Sequence, residues 1–229
     1  MNIVIVSRTG WNSDYSEEIK KRTGLDVIVI SDEADFTREN LEVFSPQYVF
    51  IPHWSKIIPS SIYENFRCVI FHMTDVPFGR GGSPLQNLIA RGIYETKLSA
   101  IECVRELDAG SVYLKRPLSL WGSAEEIGMR SSQLVKEMII EIVVEKPQPV
   151  PQNGEPVVFK RRKPSDGDMS FLSSLSQVFD YIRMLDAQGY PPAFFDVGAF
   201  RLEFSRASLR KDSVLADVRI TLRKGDADE

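Results

Sequence analysis

Histidine and cysteine are scarce, with two of each in 229 residues. Cys68 and Cys103 each sit inside an apolar, strand-like run, which reads both as small buried hydrophobes more than as a disulfide pair or metal ligands. No metal site is expected. Long apolar runs are missing too: "NIVIV" and "LDVIVI" fall far short of the roughly 18 residues that span a bilayer. The chain enters a strand pattern at its first residues instead of a charged-then-apolar leader, so a cytoplasmic address and no membrane partner are expected. An excess of positive charge is also lacking. The formal net charge is −4, and from Pro156 onward twelve Lys and Arg stand against eleven Asp and Glu. Neutralising a polyanion calls for a basic surface, so no nucleic-acid partner is expected, and "KRRK", 160–163, reads as a solvated charge run.

What is present is a regular alternation. "NIVIVS", "LDVIVI", "QYVFIP" and "RCVIFH" are short continuous apolar runs. They are separated by helix-like stretches: "SDYSEEIKKRTG", which Ser13 can cap and Gly24 stop, then "TRENLEVF" and "SSIYENF". Apolar strands alternating with helices predict an α/β fold with a mainly parallel sheet covered on both faces. In "SPLQNLIARG", Ser83 is placed to cap, with Pro84 at the first helical position and Gly92 at the end. "KLSAIECVREL" and "SVYLKRPLSL" read as strands around a "DAG" turn. Ser123 and Glu126 have capping-box spacing, and Ile127, Leu134, Met138 and Ile142 keep to one face of a long helix. "KPQPVPQNGEPV" carries four prolines and a glycine and reads as a linker. It divides a first domain, 1–150, from a small second one, 151–229. That second domain holds a helix "SLSQVFDYIRML" capped from Ser174, an apolar turn "YPPAFFDVG" and two strands.

One of the two histidines, His72, ends the fourth strand, where an open parallel sheet places its chemistry. An imidazole can move a proton near neutral pH when a carboxylate orients it. Asp75 and Asp108 are both candidates. The "GRGGSP" loop has the glycines and the Arg80 of an anion cradle, although its spacing matches neither the dinucleotide fingerprint nor the Walker loop. "SRTGWNS" ends the first strand and can bind phosphate or sugar hydroxyls.

Four blocks in order, "FHMTDVPFGRGGSPLQNLIARG", "ECVRELDAGSVYLKRPLSL", "FKRRKPSDGDM" and "YPPAF", resemble the formyltransferase family that uses N10-formyltetrahydrofolate. The resemblance covers nearly the whole chain. It implies a Rossmann-like formyltransferase domain and a small α+β C-terminal subdomain. "HxTDxPxGRGxSP" looks most like sugar N-formyltransferases of pseudaminic-type, surface-polysaccharide pathways and like the formylation domains of peptide synthetases. The implied reaction is formyl transfer to the amino group of a UDP-linked 4-amino-4,6-dideoxy sugar. The alternatives are formylation of a carrier-bound aminoacyl group, or a folate- or nucleotide-sugar-binding protein without turnover. The resemblance leaves room for a homodimer.

By the same resemblance His72 and Asp108 are catalytic: the histidine moves the proton of the attacking amine and the aspartate orients it. The family usually has an asparagine two residues before the histidine, whose amide polarises the formyl group, and this chain has Ile70. Isoleucine donates nothing, so the role is expected to fall to protonated His72 or to another group: Thr74, two residues beyond the histidine, or a bound water. The implied folate pocket is walled by Trp54, with His53 beside it, and built from Lys56, Ile58, Cys103, Arg105 and Leu107. Thr9, Trp11, Asn12, Arg80, Ser83 and Asn87 are expected to frame the amine substrate.

Overall fold

The computed structural model describes residues 2–7 and 15–223. In chain order its elements are β1 (Asn2–Val6), α1 (Tyr15–Thr23), β2 (Asp26–Ile30), α2 (Arg38–Phe44), β3 (Val49–Ile51), α3 (Ser60–Tyr63), β4 (Cys68–His72), β5 (Phe78–Gly81) and α4 (Pro84–Ile89). Then come β6 (Glu95–Glu102), β7 (Val112–Ser119), α5 (Ala124–Glu145), β8 (Val157–Phe159), α6 (Leu175–Arg183), β9 (Ala193–Val197), β10 (Phe200–Leu209) and β11 (Val214–Leu222). The chain forms two compact units, and they do not follow a single cut at residue 150. The first comprises 1–84, 95–118 and 128–159; the second comprises 85–94, 119–127 and 160–229.

The first unit is built on a six-stranded sheet in the order β2-β1-β3-β4-β6-β7. β1, β2, β3 and β4 pair in parallel and β6 runs antiparallel to β4, so the sheet is mainly parallel. Ile3, Val4, Ile5 and Val6 are all buried, as are Val49, Phe50 and Ile51. Each such side chain removed from water contributes roughly 1.5–3 kcal/mol, which is why these strands are apolar at every position instead of alternating. Helix α2 begins where a short polar side chain can accept a backbone N–H group. Thr37 Oγ1 accepts the N–H of Asn40 at 3.2 Å ahead of α2. On α5, Val135, Met138, Ile139 and Ile142 are buried, and Arg22 of α1 meets Glu137 at 2.8 Å. Pairing Ile51 with Ile70, and His72 with Ser99, brings the carboxyl ends of β3 and β4 together beside β6.

The proline-rich stretch 147–156 is not a loose connection. Val150 bridges Val112, and β8 pairs in parallel with β5, so it lies along the first unit like a strap. Proline cannot donate to a ladder, but Val150 and Val157, each beside a proline, supply the N–H groups that make these bonds.

The second unit contains the antiparallel sheet β11-β10-β9 and the helix α6. The stretch around "YPPAFF", expected as a turn, continues into strand β9, because Phe194 and Phe195 pair with Glu203 and Leu202 of β10 once the two prolines are passed. Ser174 Oγ caps α6 through the N–H of Gln177 at 3.3 Å. The capping box forms as the spacing predicts: Glu126 N–H to Ser123 Oγ at 3.2 Å and Ser123 N–H to Glu126 Oε2 at 2.7 Å. Arg183 is the largest of the fully buried side chains among the described residues. Its Nε donates to Asp180 Oδ1 at 2.7 Å and its NH1 to the carbonyls of Leu120 and Gly122 at 2.5 and 2.8 Å. No helix among the described residues is long and apolar enough to cross a membrane.

Candidate active site

Ile70 and His72 stand two apart on β4, so both side chains leave the same face of the sheet, and both line one slot. His72 is buried. Its Nε2 lies 2.7 Å from the carbonyl oxygen of Gly79. A carbonyl can only accept, so Nε2 carries the proton and Nδ1 is the nitrogen left to gain or lose one. Nδ1 stands 3.7 Å from Asp108 Oδ2, beyond hydrogen-bond length but close enough for the carboxylate charge to stabilise an imidazolium.

Asp108 is held from two sides. Its Oδ2 accepts the N–H of Gly81 at 2.8 Å, and its backbone sits in the left-handed region, with φ +52°. Two residues on, a Cβ at Gly110 would fall 2.0 Å from the carbonyl oxygen of Glu102, so the turn closes against β6 only with glycine there. Gly79 has the same kind of reason. At φ +79° a Cβ would meet Thr74 Cγ2 at 2.7 Å and the ring of Phe159 at 2.8 Å. These glycines let backbone approach backbone and side chain. They form no cradle: residues 78–81 are the strand β5, paired with β8.

The slot in front of His72 encloses about 380 Å³ and is lined by Ile51, Trp54, Lys56, Ile57, Ile58, Pro59, Ser60, Tyr63, Ile70, Phe71, Cys103, Val104, Arg105, Leu107 and Asp108 besides the histidine. This volume falls in the range of small-molecule sites, roughly 300–1,000 Å³. All six side chains expected around a folate, Trp54, Lys56, Ile58, Cys103, Arg105 and Leu107, are brought together here. Its mouth carries Ile57, Leu107 and Val104 at 90, 63 and 40 % exposure, an apolar rim that a planar ring would cover. The indole Nε1 of Trp54 is buried without a hydrogen-bond partner, and its ring meets Phe36 edge-on at 5.6 Å. Lys56 pairs with Glu33. Burial raises the Cys103 thiol to about 11, with Asp108 adding to the effect, so it is a neutral wall of the slot.

Several expected roles are corrected. Thr74 cannot stand in for the missing asparagine: it is fully buried, does not line the slot, and its hydroxyl donates to Gly79 O at 3.3 Å. The Arg80 guanidinium is already engaged, donating to Gln152 Oε1 at 3.0 and 2.9 Å and meeting Glu106 at 3.4 Å. Asn87 is buried in the second unit, where its amide donates to the Lys160 carbonyl and its oxygen accepts from Arg91. Ser83 takes φ +50°, which is not the extended backbone of an N-cap. Asp75 is taken up by Lys115 and Lys97 at 2.5 and 3.0 Å, which leaves Asp108 as the carboxylate beside the histidine. Thr9, Trp11 and Asn12, and the Ser13 cap, lie outside the described residues. His53, at φ +53°, is turned away from the slot, with Nε2 3.3 Å from Ser132 Oγ, and burial lowers its pKa to about 4. The reading of the sequence missed Gln152, whose Nε2 donates to the carbonyls of Asp108 and Gly110 at 2.8 and 2.9 Å. No local pattern marks it, because its partners are about 40 and 70 residues away.

A Rossmann-like sheet thus carries a histidine–aspartate pair at the inner end of an apolar slot. The comparisons give it a family. Residues 164–221 match the family model of the methionyl-tRNA formyltransferase C-terminal domain. A solved structure of a methionyl-tRNA formyltransferase from Clostridium thermocellum is 47 % identical, with a TM-score of 0.94 over 97 % of this chain and 100 % of that one. The chain belongs to the formyltransferase family. Methionyl-tRNA formyltransferase of Thermodesulfovibrio yellowstonii is 26 % identical over 153 residues, 63 % of this chain and 50 % of that protein. This chain spans about half the length of the curated relatives it matches. A sugar N-formyltransferase from Shewanella is 17 % identical, with a TM-score of 0.63 over 99 % of both chains, and shares the fold alone. These findings overturn the expectation of a nucleotide-sugar acceptor of pseudaminic type, and with it the exclusion of a nucleic-acid partner. The family uses N10-formyltetrahydrofolate, and HypX from Aquifex aeolicus, of similar fold at 20 % identity with a TM-score of 0.75 over 90 % of this chain and 38 % of that one, was solved in complex with tetrahydrofolic acid.

Proposed function

We propose that this chain transfers the formyl group of N10-formyltetrahydrofolate to the amino group of an aminoacyl-tRNA, methionyl-tRNA being the acceptor named for its relatives. The observation that carries the reaction class is the His72–Asp108 pair at 3.7 Å, opening onto an apolar slot of suitable size. The folate supplies a formyl carbon on a nitrogen that can depart. Ile51, Ile58, Ile70 and Trp54 hold its ring system by apolar contact and keep water out, and the backbone of 103–107 offers the polar groups at the edge. His72 takes the proton of the attacking amine at Nδ1 while Nε2–H stays on Gly79 O. Asp108 stabilises the imidazolium so formed, and the same Nδ1 returns the proton to the departing nitrogen. With Ile70 in place of an amide, the imidazolium formed once Nδ1 has taken that proton would be a donor to the charge that develops on the formyl oxygen.

The acceptor assignment rests on the names of the relatives and on local charge. A net charge of −4 averages over the whole chain, yet phosphates respond to charge within about 10 Å. Lys160, Arg161 and Lys163 are consecutive or nearly so, exposed, and immediately precede the segment that matches the methionyl-tRNA formyltransferase model. The test is to mix the protein with N10-formyltetrahydrofolate and methionyl-tRNA, following tetrahydrofolate release and formylmethionine. Turnover lost in His72→Ala supports the reading. Tetrahydrofolate binding without transfer to methionyl-tRNA overturns the acceptor; absence of folate binding overturns the reaction.

A further inference from the structure

Gln152 lies in the proline-rich strap and touches neither the slot nor His72, yet each half of its amide is fully used. Its Oε1 accepts Nε–H and one NH₂ of Arg80 at 3.0 and 2.9 Å. Its Nε2 donates to the carbonyls of Asp108 and Gly110 at 2.8 and 2.9 Å. The orientation of the amide is fixed by these partners: the reverse would set N–H against guanidinium and oxygen against two carbonyls. The residues so joined are the two supports of the histidine. Arg80 stands between Gly79, whose carbonyl holds Nε2, and Gly81, whose N–H holds Asp108 Oδ2; the turn 108–110 carries the carboxylate itself. On either side of Gln152 the strap is anchored to the same two places. Val150 bridges Val112 just beyond the turn, while Val157 N–H bonds to Pro77 O and Gly82 N–H to Phe159 O at the two ends of β5.

We propose that Gln152 is a positioning residue that sets the separation of Asp108 from His72 by clamping the 108–110 turn to strand β5. The left-handed backbone of Asp108 is a conformation that a non-glycine residue keeps only when its surroundings over-determine it. The two bonds from Gln152 Nε2, at and just after that residue, do so. The donor half of the amide therefore orients the carboxylate, and the acceptor half aligns Arg80 so that the neighbouring glycines present their backbone groups to the site.

Two variants separate the halves. Gln152→Glu keeps an acceptor for Arg80 but presents oxygen to the two carbonyls; Gln152→Leu removes both halves. The first readout needs no turnover. In each variant the Gly81 amide, protected by Asp108 Oδ2, exchanges at least about tenfold faster by NMR, while the amides of Ile70 and Phe71 within β4 keep their protection. The second rests on the proposed function: kcat for formyl transfer falls about 10–100-fold with KM for the formyl donor within about twofold. Introduced into Asp108→Asn, either change then lowers kcat little further, because the residue acts through a carboxylate already lost. Unchanged Gly81 exchange in the glutamate variant overturns the proposal, as does full additivity with Asp108→Asn. Loss of protection throughout β4 in both variants overturns it too, since Gln152 then supports the fold and not the pair. If the wild-type chain transfers no formyl group, the functional reading fails while the exchange result still decides the clamp.

Discussion

The Nε2 of His72 is tied to the carbonyl oxygen of Gly79 at 2.7 Å, and this bond fixes the proton of the neutral ring on Nε2. With the proton fixed on that side, the exchangeable position is Nδ1, turned towards Asp108. A glycine of β5 thus sets the tautomer, while a second glycine of the same strand, Gly81, holds the carboxylate.

Asp108→Asn tests the charge without removing the shape. The amide oxygen still accepts the Gly81 N–H, so the turn stays in place, but nothing negative faces Nδ1. The formyl-transfer rate constant falls about 10²-fold or more, with tetrahydrofolate affinity unchanged within about twofold. Single-turnover kinetics beside calorimetric titration with tetrahydrofolate measure the two quantities. Equal losses in affinity and rate would give Asp108 a binding role instead.

Gly79→Ala tests the close approach within β5. The added methyl meets Thr74 and Phe159 below 3 Å at a backbone angle of φ +79°, so two side chains must move and the backbone is strained. The expected cost is about 1–3 kcal/mol in urea denaturation, together with a drop in kcat, because the carbonyl that fixes the imidazole shifts with its residue. An alanine variant of wild-type stability and rate would remove the close approach as the reason for glycine here.

The parts of this molecule that were legible in its sequence are those in which one segment suffices. Ile3 to Val6 and Val49 to Ile51 are apolar at each position because they are buried on both faces, and Ser123, Glu126 and Ser174 cap helices within three residues of themselves. His72 and Asp108 were found through motif blocks, and the residues of the slot through resemblance. The failures share a cause in distance. Arg80 and Asn87 looked like ligands to an anion because their partners, Gln152 and Lys160, lie more than 70 residues on. Gln152 looked like linker for the same reason. The blocks around the histidine hold the His72–Asp108 pair and part of the slot, and the acceptor was not written in them. The basic run 160–163 is visible but reads as a solvated face, because charge summed over the second domain nearly cancels.

His53 predicts a pH dependence of stability. Burial holds its pKa at about 4, below the 6.5 of an exposed imidazole. Between those values the unfolded chain binds a proton that the folded chain does not, so stability falls as pH falls from about 6.5 to about 4. At about 1.4 kcal/mol for each unit, the loss approaches 3 kcal/mol. Urea denaturation at pH 7 and pH 4.5 measures it, and His53→Gln, which keeps a polar partner for Ser132, flattens that slope. The chain has two histidines, so carbon-proton NMR assigns the two imidazoles directly. A His53 resonance that titrates near 6.5 would sink the prediction.

Arg183 gives the sharpest test in the second unit. Its guanidinium is buried among the rings of Tyr94, Trp121 and Phe179, with centroids 5.5–5.9 Å away, and is bonded to Asp180 and to the carbonyls of Leu120 and Gly122. Asp180 keeps the hydroxyl of Tyr94 at 2.8 Å, but a single neutral donor does not compensate a buried carboxylate. Arg183→Leu therefore leaves a charge and two carbonyls without their donor and costs about 3–5 kcal/mol, read by thermal unfolding monitored at the tryptophans. Arg183→Lys recovers only part of this, because one ammonium cannot reach Asp180 and both carbonyls in the planar geometry they present. Adding Asp180→Asn to Arg183→Leu removes the uncompensated charge and restores stability relative to the single variant. If the double variant is instead as unstable as the sum of the two single ones, the cost lies in packing among the three rings, and the ion pair is incidental to it.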